Sequence, residues 1–165
     1  MTAFSKEALA AQMANGIIGA TSASRLFTKL RKEEGLTYGT YSGLSVDDDF
    51  GFANFNISGT FAPQNRARFE QVLAEIKKDI VDNGLWRLEL SAAKRVALER
   101  SKANRENDSS VAGTLAYNEQ RGRSYAFWQA QSDLAQSLTI EDIDAAAKKL
   151  LAAQDFVTII IIAVG

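Results

Sequence analysis

Residues 30–39 read LRKEEGLTYG and mark a change from helix to strand. Leu30 is followed by charged residues and then by Gly35, a residue type that commonly ends a helix. Tyr38 follows in a strand-like run. Local chemistry explains both polar residues of interest: Arg31 complements the negative end of the helix dipole, and Tyr38 begins a strand. On this segment alone, neither residue needs a functional role.

The residues before this stretch have the apolar spacing of helices. The pattern predicts a first helix over Glu7 to Ile18. Thr21 or Ser22 can cap a second helix, which Gly35 ends. The inward stripe of that second helix comprises Leu26, Phe27 and Leu30.

The residues after it alternate with the period of a strand. They predict an antiparallel hairpin with strands over Leu36 to Val46 and Phe50 to Phe61. The residues that share one face of the second strand are Ala53, Phe55, Ile57 and Phe61. Asp47, Asp48 and Asp49 lie between the strands, and consecutive carboxylates point in divergent directions, so we expect a solvated turn rather than a cation site.

Past the hairpin the apolar period becomes helical. Pro63 suits the first turn of a helix that ends at Asn83 and Gly84. Its buried stripe is predicted to contain Phe69, Val72, Leu73, Ile76 and Ile80. A more polar helix is predicted over Leu88 to Asn104, and another from a cap at Asp108 or Ser109 to about Gln120.

Two further helices and a strand complete the pattern. Tyr125 to Leu134 is predicted to be helical with Phe127 and Trp128 inside. Thr139 and Asp142 resemble a capping box that opens a last helix. That helix should bury Ile143, Ala147, Leu150 and Leu151. The run Phe156 to Val164, FVTIIIIAV, is too short to span a bilayer and is typical of a strand buried on both faces.

These elements predict one α+β domain over residues 1–165, with an antiparallel sheet covered by helices on one face. The hairpin and the last strand make a narrow sheet for so many helices. We therefore expect that strands preceding residue 1 are missing and that the chain is a fragment of a longer protein. An unpaired sheet edge is a template for pairing with another chain, so we also expect self-association.

The composition excludes several classes of function. The chain has 165 residues and a formal charge of -1, without a block of like charge, which argues against a nucleic-acid partner. It contains no cysteine and no histidine. Thiol nucleophiles, histidine-dependent triads and zinc motifs of the HExxH type are therefore excluded within this chain. We expect that the chain alone binds no catalytic zinc and hydrolyses no peptide.

The segment Ile17 to Tyr38, IIGATSASRLFTKLRKEEGLTY, resembles the C-terminal, non-catalytic half of the peptidase M16 family, which includes pitrilysin, insulin-degrading enzyme and the mitochondrial processing peptidases. The matching parts are Ser24-Arg25-Leu26, Leu30-Arg31, Glu33-Glu34 and Gly35-Leu36-Thr37-Tyr38. Weaker matches follow at Glu89-Leu90 with Ala93-Lys94 and at Leu138 to Ile143. The resemblance covers nearly the whole chain and implies a half-domain of the LuxS and processing-peptidase fold.

The resemblance also implies a function. Members of the family consist of two homologous halves that close over a peptide; one half carries Zn²⁺ on an HxxEH motif, and the other contributes an arginine and a tyrosine. By motif position, Arg31 and Tyr38 correspond to that substrate-binding pair. The catalytic half would lie in the same full-length chain or in a partner subunit.

Two alternatives remain open from the sequence. The chain could belong to a structural M16-like protein without peptidase activity, as in the core proteins of the respiratory bc1 complex. It could also be an unrelated α+β interaction module, in which case local contacts should hold Arg31 and Tyr38. The resemblance favours the bacterial periplasm or cytoplasm and leaves a mitochondrial location open.

Overall fold

A computed structural model describes residues 4–47, 52–152 and 156–161. The α-helices are α1 (Lys6–Asn15), α2 (Arg66–Asn83), α3 (Arg87–Arg105), α4 (Asp108–Glu119), α5 (Tyr125–Ser137) and α6 (Ile140–Ala152). The strands are β1 (Thr37–Val46) and β2 (Ala53–Phe61). Two π-helical segments, Gly16–Ala20 and Phe27–Glu33, and a 3-10 turn, Pro63–Asn65, complete the described elements.

The N-terminal region is helical up to the junction with β1. Helix α1 begins after Ser5, whose hydroxyl oxygen accepts a hydrogen bond from the Ala8 N–H at 3.1 Å, and it continues into the first π-helical segment. The predicted first helix is thereby confirmed. The predicted cap of the second helix is wrong. Ser24 accepts from the Phe27 N–H, whereas the Thr21 hydroxyl donates to the Gly16 carbonyl and so closes the preceding segment.

The two strands form the predicted antiparallel hairpin. Their register pairs Leu44 with Phe55 and Ser42 with Ile57. The β2 side chains that pack against the core are Phe55, Ile57 and Phe61. The opposite face is polar, as expected of an antiparallel sheet with one solvated side. Asp48 and Asp49 of the predicted turn lie outside the described residues.

Helix α2 packs against the core through the predicted stripe, in which Leu73 is only partly buried. Phe69, Val72, Ile76 and Ile80 are buried, and the Phe69 ring stacks on Phe61 with centroids 4.5 Å apart. Gly59 allows this approach, because a Cβ atom at that position would lie 2.6 Å from the Phe69 ring.

Of the two helix caps predicted in the second half of the chain, the structure confirms one. The capping box of α6 is confirmed: the Thr139 N–H donates to the Asp142 carboxylate at 2.9 Å, and the Asp142 N–H donates to the Thr139 hydroxyl at 3.1 Å. The predicted cap of α4 at Asp108 or Ser109 is wrong by one or two residues. The Asn107 side chain is the cap, because it accepts from the Ser110 N–H at 2.9 Å.

The core lies between α1, α2, α6 and the inner face of the sheet. Its most completely buried large side chains are Ile18, Leu26, Leu30, Val72, Ile80, Leu90, Leu138 and Ile143. Helix α5 is less enclosed than predicted, since Phe127 and Trp128 are only half-buried. Among the described helices, none is both long and apolar enough to cross a membrane.

Residues 156–161 do not form the predicted C-terminal strand. They are irregular, and Val157, Ile159 and Ile161 are exposed. The Phe156 ring reaches the sheet, where it contacts Phe55 with centroids 6.3 Å apart. Apolar β-branched composition favours a strand, but a strand forms only when an edge pairs with it, and within the described residues the sheet consists of β1 and β2. Residues 162–164 of the prediction lie outside the described ranges.

Candidate functional site

The junction between the second π-helical segment and β1 carries both predicted site residues. Gly35 ends the helix with a φ of +64°, a left-handed conformation that glycine adopts without steric cost. The Glu34 N–H donates to the Lys29 carbonyl at 3.1 Å, and the Leu36 N–H donates to the Leu30 carbonyl at 2.9 Å. Leu30 and Leu36 are both buried, so the junction is anchored in the core on either side of the glycine.

Contacts with the start of α2 hold this junction from outside. The Arg68 guanidinium donates to both carboxylate oxygens of Glu34, at 3.1 and 2.5 Å. The hydrogen bond from Arg68 lowers the pKa of Glu34 below its ordinary value and raises the pKa of Arg68. The Asn65 side-chain amide donates to the Leu36 carbonyl at 3.3 Å. The backbone between Arg31 and Tyr38 is therefore attached to the first turn of α2.

Arg31 lies exposed in the last turn of the π-helical segment. Its neighbouring cations have partners: Lys29 donates to Glu33 at 2.7 Å, and the Lys32 ammonium lies 5.6 Å from the centre of the Phe27 ring. Within the described part of the chain, the Arg31 guanidinium makes no hydrogen bond or ion pair. Its five N–H donors are therefore free to bind an external acceptor.

Tyr38 projects from an irregularity in the hairpin. Thr37 pairs with Phe61 and Gly39 pairs with Thr60, so Tyr38 is an extra residue in β1. A bulge of this kind bends the strand and redirects a side chain. The Tyr38 side chain is 81% exposed, whereas Thr37 beside it is 3% exposed. The sequence alternation did not reveal this bulge.

The structure thus places Arg31 and Tyr38 on one junction and leaves both side chains accessible. Among the described residues no hydrogen bond joins the two. Together they offer a guanidinium and a phenol, which can donate to carbonyl or carboxylate oxygens. No group of three or more acidic side chains that could hold a metal ion occurs in the described ranges. The guanidinium and the phenol at this junction are donors that suit oxygen atoms of a ligand.

Another arginine of the same sequence stretch has a structural role that the sequence did not reveal. The Arg25 guanidinium donates to both oxygens of Glu89, at 2.7 to 3.2 Å, and to Asp79 at 2.9 Å. It also lies 5.1 Å from the Trp86 ring centre. The Ser-Arg-Leu and Glu-Leu segments, distant in sequence, meet through this contact and fix the start of α3.

An open cavity of about 310 Å³ lies elsewhere, between the α2–α3 connection and α6. Its lining includes Leu85, Arg87, Ile140, Asp144 and Lys148. Asp144 is already engaged, because it accepts from the Leu85 N–H and pairs with Lys148. Neither Arg31 nor Tyr38 borders this cavity.

Comparison with known proteins gives a family and a fold. The family described as the peptidase M16 inactive domain matches residues 4–96, which is more than half of the chain. A comparison with curated protein sequences gave no significant match.

Solved structures share the arrangement of helices and hairpin. A peptidase M16 inactive domain from Pseudomonas fluorescens is 23% identical with a TM-score of 0.74, over 90% of this chain and 35% of that chain. A Bordetella pertussis protein assigned as a zinc protease is 19% identical with a TM-score of 0.72, over 92% of this chain and 82% of its own. The periplasmic protease PqqL from Escherichia coli is 18% identical with a TM-score of 0.71, over 90% of this chain and 16% of that chain. The present chain therefore spans little more than a third of the Pseudomonas chain and a much smaller part of PqqL.

Proposed function

Since this chain belongs to the peptidase M16 inactive-domain family, we propose that it is the non-catalytic, substrate-binding half of a zinc metallopeptidase. In this proposal it closes over a peptide that is held by a zinc-bearing half, located in the same full-length chain or in a partner subunit. The absence of histidine and cysteine from the sequence supports this division of labour, because imidazole and thiolate are the usual ligands of zinc besides carboxylates.

Arg31 and Tyr38 are the residues that would act on the peptide. A guanidinium can donate two parallel hydrogen bonds to a carboxylate or bridge neighbouring carbonyl oxygens. A tyrosine hydroxyl can donate to the oxyanion that forms when water attacks a peptide carbonyl. In the proposed enzyme the other half would hold Zn²⁺, which would supply an activated water, and this chain would supply only hydrogen bonds.

The observation that carries the proposal is the contrast between Arg31 and its neighbours. Lys29 and Lys32, on the same segment, have partners within the protein, and Arg68 is bound to Glu34. Arg31 is exposed and makes no such contact within the described ranges. An unrelated interaction module should hold these side chains by local contacts. The exposed Arg31 guanidinium and the exposed Tyr38 ring, on consecutive elements of the chain, therefore favour a ligand-binding role.

The test is steady-state kinetics on the complete peptidase, with this chain joined to its zinc-bearing half. Tyr38→Phe should lower kcat by roughly 100- to 1000-fold, the usual loss when one oxyanion donor is removed. Arg31→Ala should also raise KM, because a positioning contact acts on the ground state as well as the transition state. Zinc content should stay unchanged in both variants.

Matched control variants distinguish a specific role in catalysis from a nonspecific effect of substitution on the protein. Tyr41→Phe removes another exposed phenol of β1, and Arg100→Ala removes an exposed guanidinium on α3. Both should keep parental turnover. All four variants should retain stability within about 1 kcal/mol, as is usual for surface changes. Parental turnover in Tyr38→Phe and Arg31→Ala would refute the proposed role, and no peptidase activity in the complete parental protein would favour a structural M16-like protein.

A further inference from the structure

The bulge at Tyr38 changes which β1 side chains face the core. Thr37 and Ser42 are five residues apart, a separation that would place them on opposite faces of a regular strand. Both are nevertheless buried. One extra residue between Thr37 and Gly39 resolves this conflict, and the register identifies that residue as Tyr38. The bulge is therefore built into the packing of β1 and is not a fraying of its end.

The Thr37 side chain spans this bulge from the buried side. Its hydroxyl oxygen lies 2.6 Å from the Thr60 carbonyl oxygen on β2 and 2.7 Å from the Gly39 carbonyl oxygen on its own strand. It also accepts a hydrogen bond from the Gly39 N–H at 3.1 Å. A hydroxyl has one proton to donate and two lone pairs, so it can satisfy the Gly39 N–H and one carbonyl at the same time.

Little else fixes the direction of Tyr38. Within the described residues its side chain has no hydrogen bond and no ring contact, and it is 81% exposed. Gly39 follows it, and a Cβ at Gly39 would meet no atom within 4 Å, so packing does not restrain that residue either. The orientation of the Tyr38 ring therefore depends on the backbone of the bulge.

We propose that Thr37 is a positioning residue, whose buried hydroxyl holds the bulge in the conformation that directs Tyr38 outward from β1. The inference rests on the proposed function, in which the Tyr38 hydroxyl contacts the peptide. Thr37 itself touches no substrate. Its effect on catalysis passes through Tyr38, and this separates it from a residue that merely stabilises the strand.

The first test is made on the 165-residue chain alone. Thr37→Val keeps the shape of the side chain and removes the hydroxyl, so the Gly39 N–H loses the hydrogen bond to that hydroxyl. Amide hydrogen exchange at Gly39 should become faster, and the backbone coupling constant of Tyr38 measured by NMR should change. Thr37→Ser, which keeps the hydroxyl, should restore both values. If thermal melts show that Thr37→Val does not fold, Thr37→Ala also removes the hydroxyl and has a smaller side chain.

The second test is a double-mutant cycle on the complete peptidase. Thr37→Val should lower kcat by about 10- to 100-fold, the order of loss that a misplaced catalytic group produces. In a Tyr38→Phe background the same change should have no further effect, because its only route to the reaction has been removed. Thr37→Ser should retain most of the turnover.

The outcomes distinguish this inference from the proposed function. Unchanged Gly39 exchange in Thr37→Val, or an equal loss of turnover with and without the Tyr38 hydroxyl, would overturn the positioning role. Full turnover in Tyr38→Phe would instead refute the proposed function of Tyr38. In that case the exchange and coupling measurements on the isolated chain would still decide whether Thr37 holds the bulge.

Discussion

Replacement of Gly35 by alanine tests the geometry on which the candidate site depends. Gly35 is the turning point between the helix that carries Arg31 and the strand that carries Tyr38, and its φ is +64°. A Cβ added there would meet no atom within 4 Å. Any effect of Gly35→Ala therefore comes from the backbone conformation and not from a steric clash with a neighbour.

The size of the effect follows from the conformational preference. The left-handed conformation costs an L-residue with a Cβ roughly 1 to 2 kcal/mol of conformational free energy. For a domain of this size, 1 kcal/mol corresponds to about 2 to 4 °C in melting temperature. Gly35→Ala should thus lower the melting temperature by several degrees without abolishing the fold. Gly35→Asn should lower it less, because asparagine tolerates this region better.

Gly113 provides a matched control for the same chemical change. It lies exposed within α4, its φ is not in the left-handed region, and a Cβ there would also meet nothing within 4 Å. Alanine in a helix interior is more stable than glycine by roughly 0.5 to 1 kcal/mol. Gly113→Ala should therefore raise the melting temperature while Gly35→Ala lowers it. Urea unfolding followed by circular dichroism measures both free energies of unfolding.

The decisive result is that the free energy of unfolding falls in Gly35→Ala and rises in Gly113→Ala. If Gly35→Ala were neutral or stabilising, Gly35 would not occupy a left-handed turn, and the described positions of Arg31 and Tyr38 would lose their basis. If both substitutions destabilised equally, the cause would be a general response to added volume. That outcome would also contradict the open space found around both glycines.

Two other predictions concern the pH dependence of stability and the state of association. Hydrogen bonds from Lys6 and from the Thr139 backbone lower the pKa of Asp142 from 3.8 to about 2. The contribution of Asp142 to the free energy of unfolding is therefore fully present above pH 4 and is lost as pH falls through 2. Asp142→Asn should lower the melting temperature at pH 5 to 6, and the difference from the parent should disappear below pH 2. The exposed Ile159 and Ile161 should promote self-association of the isolated chain. Sedimentation should give a mass above 18.0 kDa that falls to the monomer value in Ile159→Lys/Ile161→Lys; a monomeric parent would contradict this expectation.

The sequence predicts the elements whose signals are local. The stripe of α2 follows from its helical period, and the hairpin follows from alternation. The capping box at Thr139 and Asp142 is identified correctly because both partners lie within one turn. The predicted caps differ from the observed caps, Ser24 and Asn107, by one to three residues. Several neighbouring polar side chains can each accept a hydrogen bond from the first N–H groups of a helix, and the sequence does not distinguish them.

Features that depend on distant partners could not be read from the sequence. Residues 156–161 have strand composition, but they pair with neither β1 nor β2, and composition alone does not determine whether a segment joins a sheet. The contact between Arg25 and Glu89 joins residues 64 positions apart. The Tyr38 bulge depends on the register between two strands, because only pairing with β2 reveals the extra residue.

Packing accounts for the bulge, since it lets both Thr37 and Ser42 be buried, but it does not account for an exposed aromatic ring at the extra residue, Tyr38. A bulge leaves one residue unpaired in the ladder, and it exposes an aromatic ring whose burial elsewhere would favour folding. The surrounding residues, in contrast, make the contacts that stabilise a fold: Leu30 and Leu36 are buried, and Glu34 is bound to Arg68. A local departure from otherwise consistent folding rules is expected where a site serves binding or catalysis. The junction thus separates residues that maintain the fold from Arg31 and Tyr38, which make no described contact that stabilises it. This separation is the physical reason for proposing that the two residues bind the peptide.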